Sequence, residues 1–118
     1  MKNLSDRRSR YLADDIPVRL GGIAANLARV ASSASNPANR PAILGMIEES
    51  KWFIEWAAPS LEIDIAARLA EIQVSLAMIE SRINQGMPAS EIADQAACWS
   101  EEILNMSGLL DQAISDSA

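Results

Sequence analysis

Apolar residues return every three or four positions through most of this chain, which is the spacing of one buried helix face. Between Leu61 and Gln85 the pattern occurs twice over. Ile65, Leu69, Ile72, Leu76, Ile79 and Ile83 form one stripe with the alternating steps of a bundle seam. Ile63, Ala67, Ala70, Val74 and Met78 form another. At about 100° per residue Val74 points away from the middle of the first stripe, so burying one stripe leaves the second outside. Asp64, Arg68, Glu71 and Arg82 occupy one flank, and Glu62 and Glu80 the other. This helix therefore calls for a neighbour on both faces.

The rest of the chain punctuates itself with proline, glycine and capping residues. Met1 to Ala13 is polar and arginine-rich, and is expected to be a partly disordered arm or a short helix behind Ser5. Asp14, Asp15 and Pro17 open a helix to about Ala34 with the seam Ile16, Leu20, Ile23, Leu27 and Val30. Asn36 and Pro37 open a second helix that reaches Ala57 or Ala58 before Pro59, with the seam Ile43, Ile47, Ser50, Ile54 and Ala57. Ser60 is the expected cap of the long third helix, which Gly86 closes. Pro88 opens a fourth, extending to about Ile114 along Ile92, Ala96, Trp99, Ile103, Met106, Leu110 and Ala113. No sustained alternation suggests a strand.

Helices of this length joined by short turns predict an all-α protein: residues 14–118 as an antiparallel up-down-up-down four-helix bundle, with residues 1–13 as a basic N-terminal arm. The stretches Leu12-Ala13-Asp14-Asp15-Ile16-Pro17, Glu48-Glu49-Ser50-Lys51-Trp52-Phe53-Ile54-Glu55-Trp56-Ala57-Ala58-Pro59 and Met106-Ser107-Gly108-Leu109-Leu110 make the chain similar to small uncharacterised helical proteins of cyanobacteria. That resemblance spans most of the chain. It implies a cyanobacterial cytoplasmic protein and brings with it no activity and no functional residues.

Composition narrows the chemistry. The 118 residues are 49% hydrophobic and 22% charged, the balance of an ordinary globular domain. One cysteine and no histidine leave no internal disulfide and no zinc set, which fits a reducing compartment. No run approaches a membrane span, and the expected location is the cytoplasm. A net charge of −6 argues against nucleic acid as the main partner. Its distribution is uneven: residues 1–47 carry +4 and residues 48–118 carry −10. Either the two halves attract each other on folding, or the acidic half meets a basic partner or the basic arm of another copy.

Without histidine, the Glu-x-x-His pairs of di-metal bundles and the common Ser-His and Cys-His nucleophiles are missing. Cys98 has Glu101 and Glu102 nearby and no cation, so it is expected to be a buried or half-buried structural residue. The Gly21-Gly22 pair lies in a helical pattern with no strand before it, unlike a phosphate loop. No catalytic residue, cofactor or metal site is expected, and the protein is not expected to be an enzyme.

Trp52 and Trp56 stand apart, because both project away from the seam of their helix, among Glu48, Glu49 and Glu55. Exposed tryptophans are favoured anchors of interfaces. Three coverings are open: the N-terminal arm, a partner or second copy, or a small ligand. The sequence thus points to a non-enzymatic helical interaction or regulatory protein acting as a homodimer or on a protein partner. Its expected contact residues are Ile63, Ala67, Ala70, Val74, Met78, Trp52 and Trp56. The alternative is a small-molecule binder with a hydrophobic pocket between helices near the tryptophans.

Overall fold

The computed structural model describes residues 3–108. They form five α-helices and no strand: α1 Leu4–Leu12, α2 Ile16–Ser33, α3 Arg40–Ala57, α4 Ile63–Asn84 and α5 Ala89–Ser107. None is long and apolar enough to cross a membrane. Local chemistry sets the ends. Asn3, rather than Ser5, caps α1, its side-chain oxygen accepting the Asp6 N–H at 2.8 Å. The expected single helix from Pro37 is divided, because Asn36 caps a 3-10 turn over Pro37–Asn39 and Pro41 then starts α3 within its first turn. Ser60 does not cap α4. It ends a second 3-10 turn, Ala58–Ser60, after which Leu61 is extended and Glu62 takes the cap position.

Gly108 ends α5 with a left-handed φ of +76°, a conformation that glycine adopts without the steric penalty of a Cβ. The expected continuation to Ile114, with Leu110 and Ala113, lies outside the described residues.

The main core joins the four longer helices. Leu20, Ile23, Leu27 and Val30 of α2 meet Ile43, Ile47 and Ile54 of α3, Leu69, Ile72 and Leu76 of α4, and Ile92, Trp99 and Ile103 of α5. Ile16, the first residue of the expected α2 seam, is instead exposed, because it sits in the opening turn before the helix enters the core. The most extensive contact is between α2 and α5, followed by α2 with α3, then α3 with α4; α4 also touches α5, and α1 lies on α3. Polar ties fix these pairs. Ser100 Oγ donates to the Ala24 carbonyl at 2.7 Å, joining α5 to α2. Arg68 holds both carboxylate oxygens of Glu102 across α4 and α5, at 2.5 and 2.9 Å.

Two buried polar residues interrupt the apolar core. Ser50 returns its hydroxyl to the Met46 carbonyl, four residues back on the same helix, at 2.8 Å. Asn26 lies on α2 between Ile23 and Leu27 and is only 1% exposed. Its Nδ2 donates to Glu49 Oε1 at 3.0 Å, while its Oδ1 accepts from Arg29. Glu49 in turn accepts from Arg7 of α1 at 2.5 Å. Three helices thus share one polar chain, and each buried member has a partner.

Candidate functional site

The outer face of α4 carries three of the six large hydrophobic side chains that the described residues expose. Ile63 is 81% exposed, Val74 61% and Met78 62%. Ala67 and Ala70 between them are exposed as well. The inner stripe explains this geometry: Leu69, Ile72, Leu76, Ile79 and Ile83 are all buried, which turns the opposite side of the same helix outward. At about 100° per residue Glu71 borders the stripe, about 60° from Val74, and the other charged side chains of α4 lie about 80° or more from it. A solvent-facing helix ordinarily carries charge there.

Charge is confined to the flanks, where it clasps neighbouring helices. Toward α5 stand Arg68 with Glu102 and Glu71, and Arg82 with Glu91. The Arg68 guanidinium holds the Glu102 carboxyl below the usual carboxylate range. Toward α3, Lys51 bridges Glu48 at 3.0 Å and also pairs with Glu80. Burial works against the Lys51 ammonium, but its hydrogen bonds to Glu80 and Glu48 outweigh that and raise its pKa. The hydrogen bond from Lys51 holds Glu48 low.

Between α3 and α4 an open groove of about 480 Å³ adjoins the stripe. Trp52, Val74 and Ala77 supply its apolar lining, with Glu48, Lys51, Glu55 and Gln73 around them. Gln73 Nε2 donates to the Lys51 carbonyl at 3.0 Å and to Glu55 at 3.1 Å, so the helix rims are tied together at the level of Val74. Trp52 and the α4 stripe therefore belong to one continuous surface.

Trp56 does not belong to it. The expectation that both tryptophans face outward is corrected for Trp56, which is 8% exposed. Its cover is α1. The Tyr11 ring lies 6.0 Å from Trp56 and stacks on Phe53 at 4.2 Å, and Leu12 and Leu61 close the same cluster. Tyr11 Oη donates to the Arg19 carbonyl at 2.8 Å, and Arg19 in return binds the Asp14 and Leu12 carbonyls. Burial pushes the Tyr11 phenol well above its usual pKa. Trp52 stacks on the outer side of Trp56, with centroids 5.9 Å apart, and is half-buried.

Cys98, expected to be buried or half-buried, is exposed on α5. It lies one position before Trp99, and about 100° of helical rotation separates the buried line from the open one. Asn26 was not singled out by the sequence pattern, although its place three residues after Ile23 and four before Val30 is that of a seam position. Among the described residues no group of three or more His, Cys, Asp or Glu side chains is arranged to hold a metal ion. No protein-family model, curated protein or solved structure matches the chain.

Proposed function

We propose that the chain is a non-enzymatic helical interaction protein that acts through the outer face of α4 and the adjoining Trp52 groove, as a homodimer or on a protein partner. In this reading α2 to α5 form an antiparallel up-down-up-down four-helix bundle and α1 is its basic arm. The contacts α2 with α3, α3 with α4, α4 with α5 and α5 with α2 support a closed ring of four helices.

The observation that carries the proposal is the charge-free stripe of Ile63, Ala67, Ala70, Val74 and Met78, whose three large side chains are each more than half exposed. Apolar patches of this kind on folded chains mark contact surfaces. The stripe runs over about four turns of the helix, from Ile63 to Met78, as a helix-to-helix contact requires. Trp52 extends it with the flat, amphipathic ring favoured at interface centres.

Val74→Glu tests the reading. It places a carboxylate in the middle of the stripe without touching the core, so the variant should keep its helix content and lose self-association in sedimentation or light scattering. A parent protein that is monomeric at high micromolar concentration, and that binds no partner through this face, would remove the proposal.

A second reading rests on the groove itself. Its volume of about 480 Å³ lies in the range of small-molecule sites, and Trp52 offers a stacking surface. A hydrophobic ligand there would quench or shift the indole emission of the parent protein, an effect lost in Trp52→Phe, whereas a pure docking face would bind none.

A further inference from the structure

We propose that the occupant of the α4 face is α4 of a second copy, paired antiparallel about a two-fold axis at Val74, with Asp64 of each protomer facing Arg82 of the other. The inference rests on the interaction reading above and specifies its partner and register.

Val74 lies at the middle of Ile63–Asn84. In an antiparallel pair centred there, residues equally distant from it on either side oppose each other. Met78 of one copy then meets Ala70 of the other, twice by symmetry, and Ala67 meets Ser81. Met78 thus faces a small residue on either side of the axis, and the small pair Ala67 and Ser81 lets the two helices approach closely. A parallel pair would instead set Met78 against Met78 and Ala70 against Ala70. Opposed helix dipoles also favour the antiparallel arrangement.

The flanks supply charge complementarity. Asp64 and Arg82 are eighteen residues apart, about five whole helical turns, so they stand on the same line of α4, on the side toward α5. A two-fold antiparallel pair brings that flank of one helix against the same flank of the other. The partner's Arg82 then comes level with Ala66, about 3 Å along the axis from Asp64. Among the described residues the Asp64 side chain is exposed and makes no hydrogen bond or ion pair. Arg82 pairs with Glu91, yet its side chain stays 49% exposed. A guanidinium has five N–H donors and can hold a second carboxylate.

On the other flank the Trp52 grooves of the two copies come together. Trp52 lines its groove with Val74 and Ala77, at the level of the proposed axis. The two grooves would close over each other beside Val74, covering both indole rings.

Cysteine trapping and charge exchange test the register. In a Cys98→Ser background, Val74→Cys should oxidise to a covalent dimer, because the two copies of position 74 meet at the axis. Ile63→Cys should not, because its two copies lie about 33 Å apart. Asp64→Arg should weaken the dimer about tenfold by sedimentation equilibrium, as two attractive pairs become repulsive. Adding Arg82→Asp should restore the parent affinity to within about threefold, with circular dichroism and denaturant midpoints monitoring the fold of each variant. A parent dimer in which Ile63→Cys cross-links as readily as Val74→Cys would overturn the register and leave self-association standing. So would a parent dimer insensitive to Asp64→Arg. A parent that stays monomeric while its α4 face captures another protein would overturn the second copy as occupant, and a parent with neither contact would overturn the interaction reading as well.

Discussion

The ring of Tyr11 lies flat on that of Phe53, with centroids 4.2 Å apart and planes 6° from parallel. This one contact fastens α1 to α3 and decides the fate of Trp56, whose ring leans on both at 6.0 Å. The Arg7 to Glu49 ion pair, one helical turn earlier on α1, closes the same junction on its polar side.

Tyr11 is the only tyrosine, so its titration can be followed without ambiguity by near-ultraviolet absorbance. Its phenol should ionise well above the ordinary value of about 10. The folded-state pKa is raised, so the stabilising contribution of Tyr11 is complete below the unfolded value and is lost as pH rises past it toward the folded value. Release of α1 should accompany ionisation. A phenol titrating at about 10 would show that Tyr11 is not buried.

Tyr11→Ala should open the aromatic cluster while leaving the main core folded. In a Trp99→Phe background, emission from Trp52 and Trp56 should shift to the red as water reaches Trp56. Helix content should fall by no more than the nine residues of α1. An unchanged spectrum would mean that α1 does not cover the indole.

Leu76 and Trp99 lie in the common core, 1% and 8% exposed. Leu76→Ala should cost about 2–5 kcal/mol and Trp99→Ala about 3–5 kcal/mol, through lost burial and the cavity left behind. Denaturant midpoints measure both. Parent-like unfolding of either variant would contradict its burial.

Asn26 should be coupled to Arg7 although the two do not touch, because each holds a different oxygen of Glu49. Asn26→Ala should destabilise by about 1–3 kcal/mol, since it removes hydrogen bonds to two charged groups, Glu49 and Arg29. A double-mutant cycle with Arg7→Ala should be non-additive by at least about 0.5 kcal/mol. Strict additivity would mean that the two contacts on Glu49 act independently.

The positions and inner faces of the helices were legible in the amino-acid sequence because both are local properties. Pro17, Pro59 and Gly86 mark boundaries through the φ angles they impose or permit. The steps from Leu69 to Ile83 define a buried line through the helical repeat alone. The same repeat put Val74 and Met78 on the opposite side, where they are found exposed. Tertiary structure decided what periodicity has no means to express. Trp56 projects from the nominally polar side of α3 and is buried because α1, more than forty residues earlier, brings Tyr11 over it. Asn26 occupies a seam position that polarity alone would reject, and burial is tolerated because Glu49 of α3 and Arg29 of α2 satisfy its amide. Cys98 is exposed although apolar residues surround it in sequence, because α2 takes the other face of α5. A residue's angle on its helix is fixed by the backbone, but whether that angle meets water or another helix depends on segments distant in the chain.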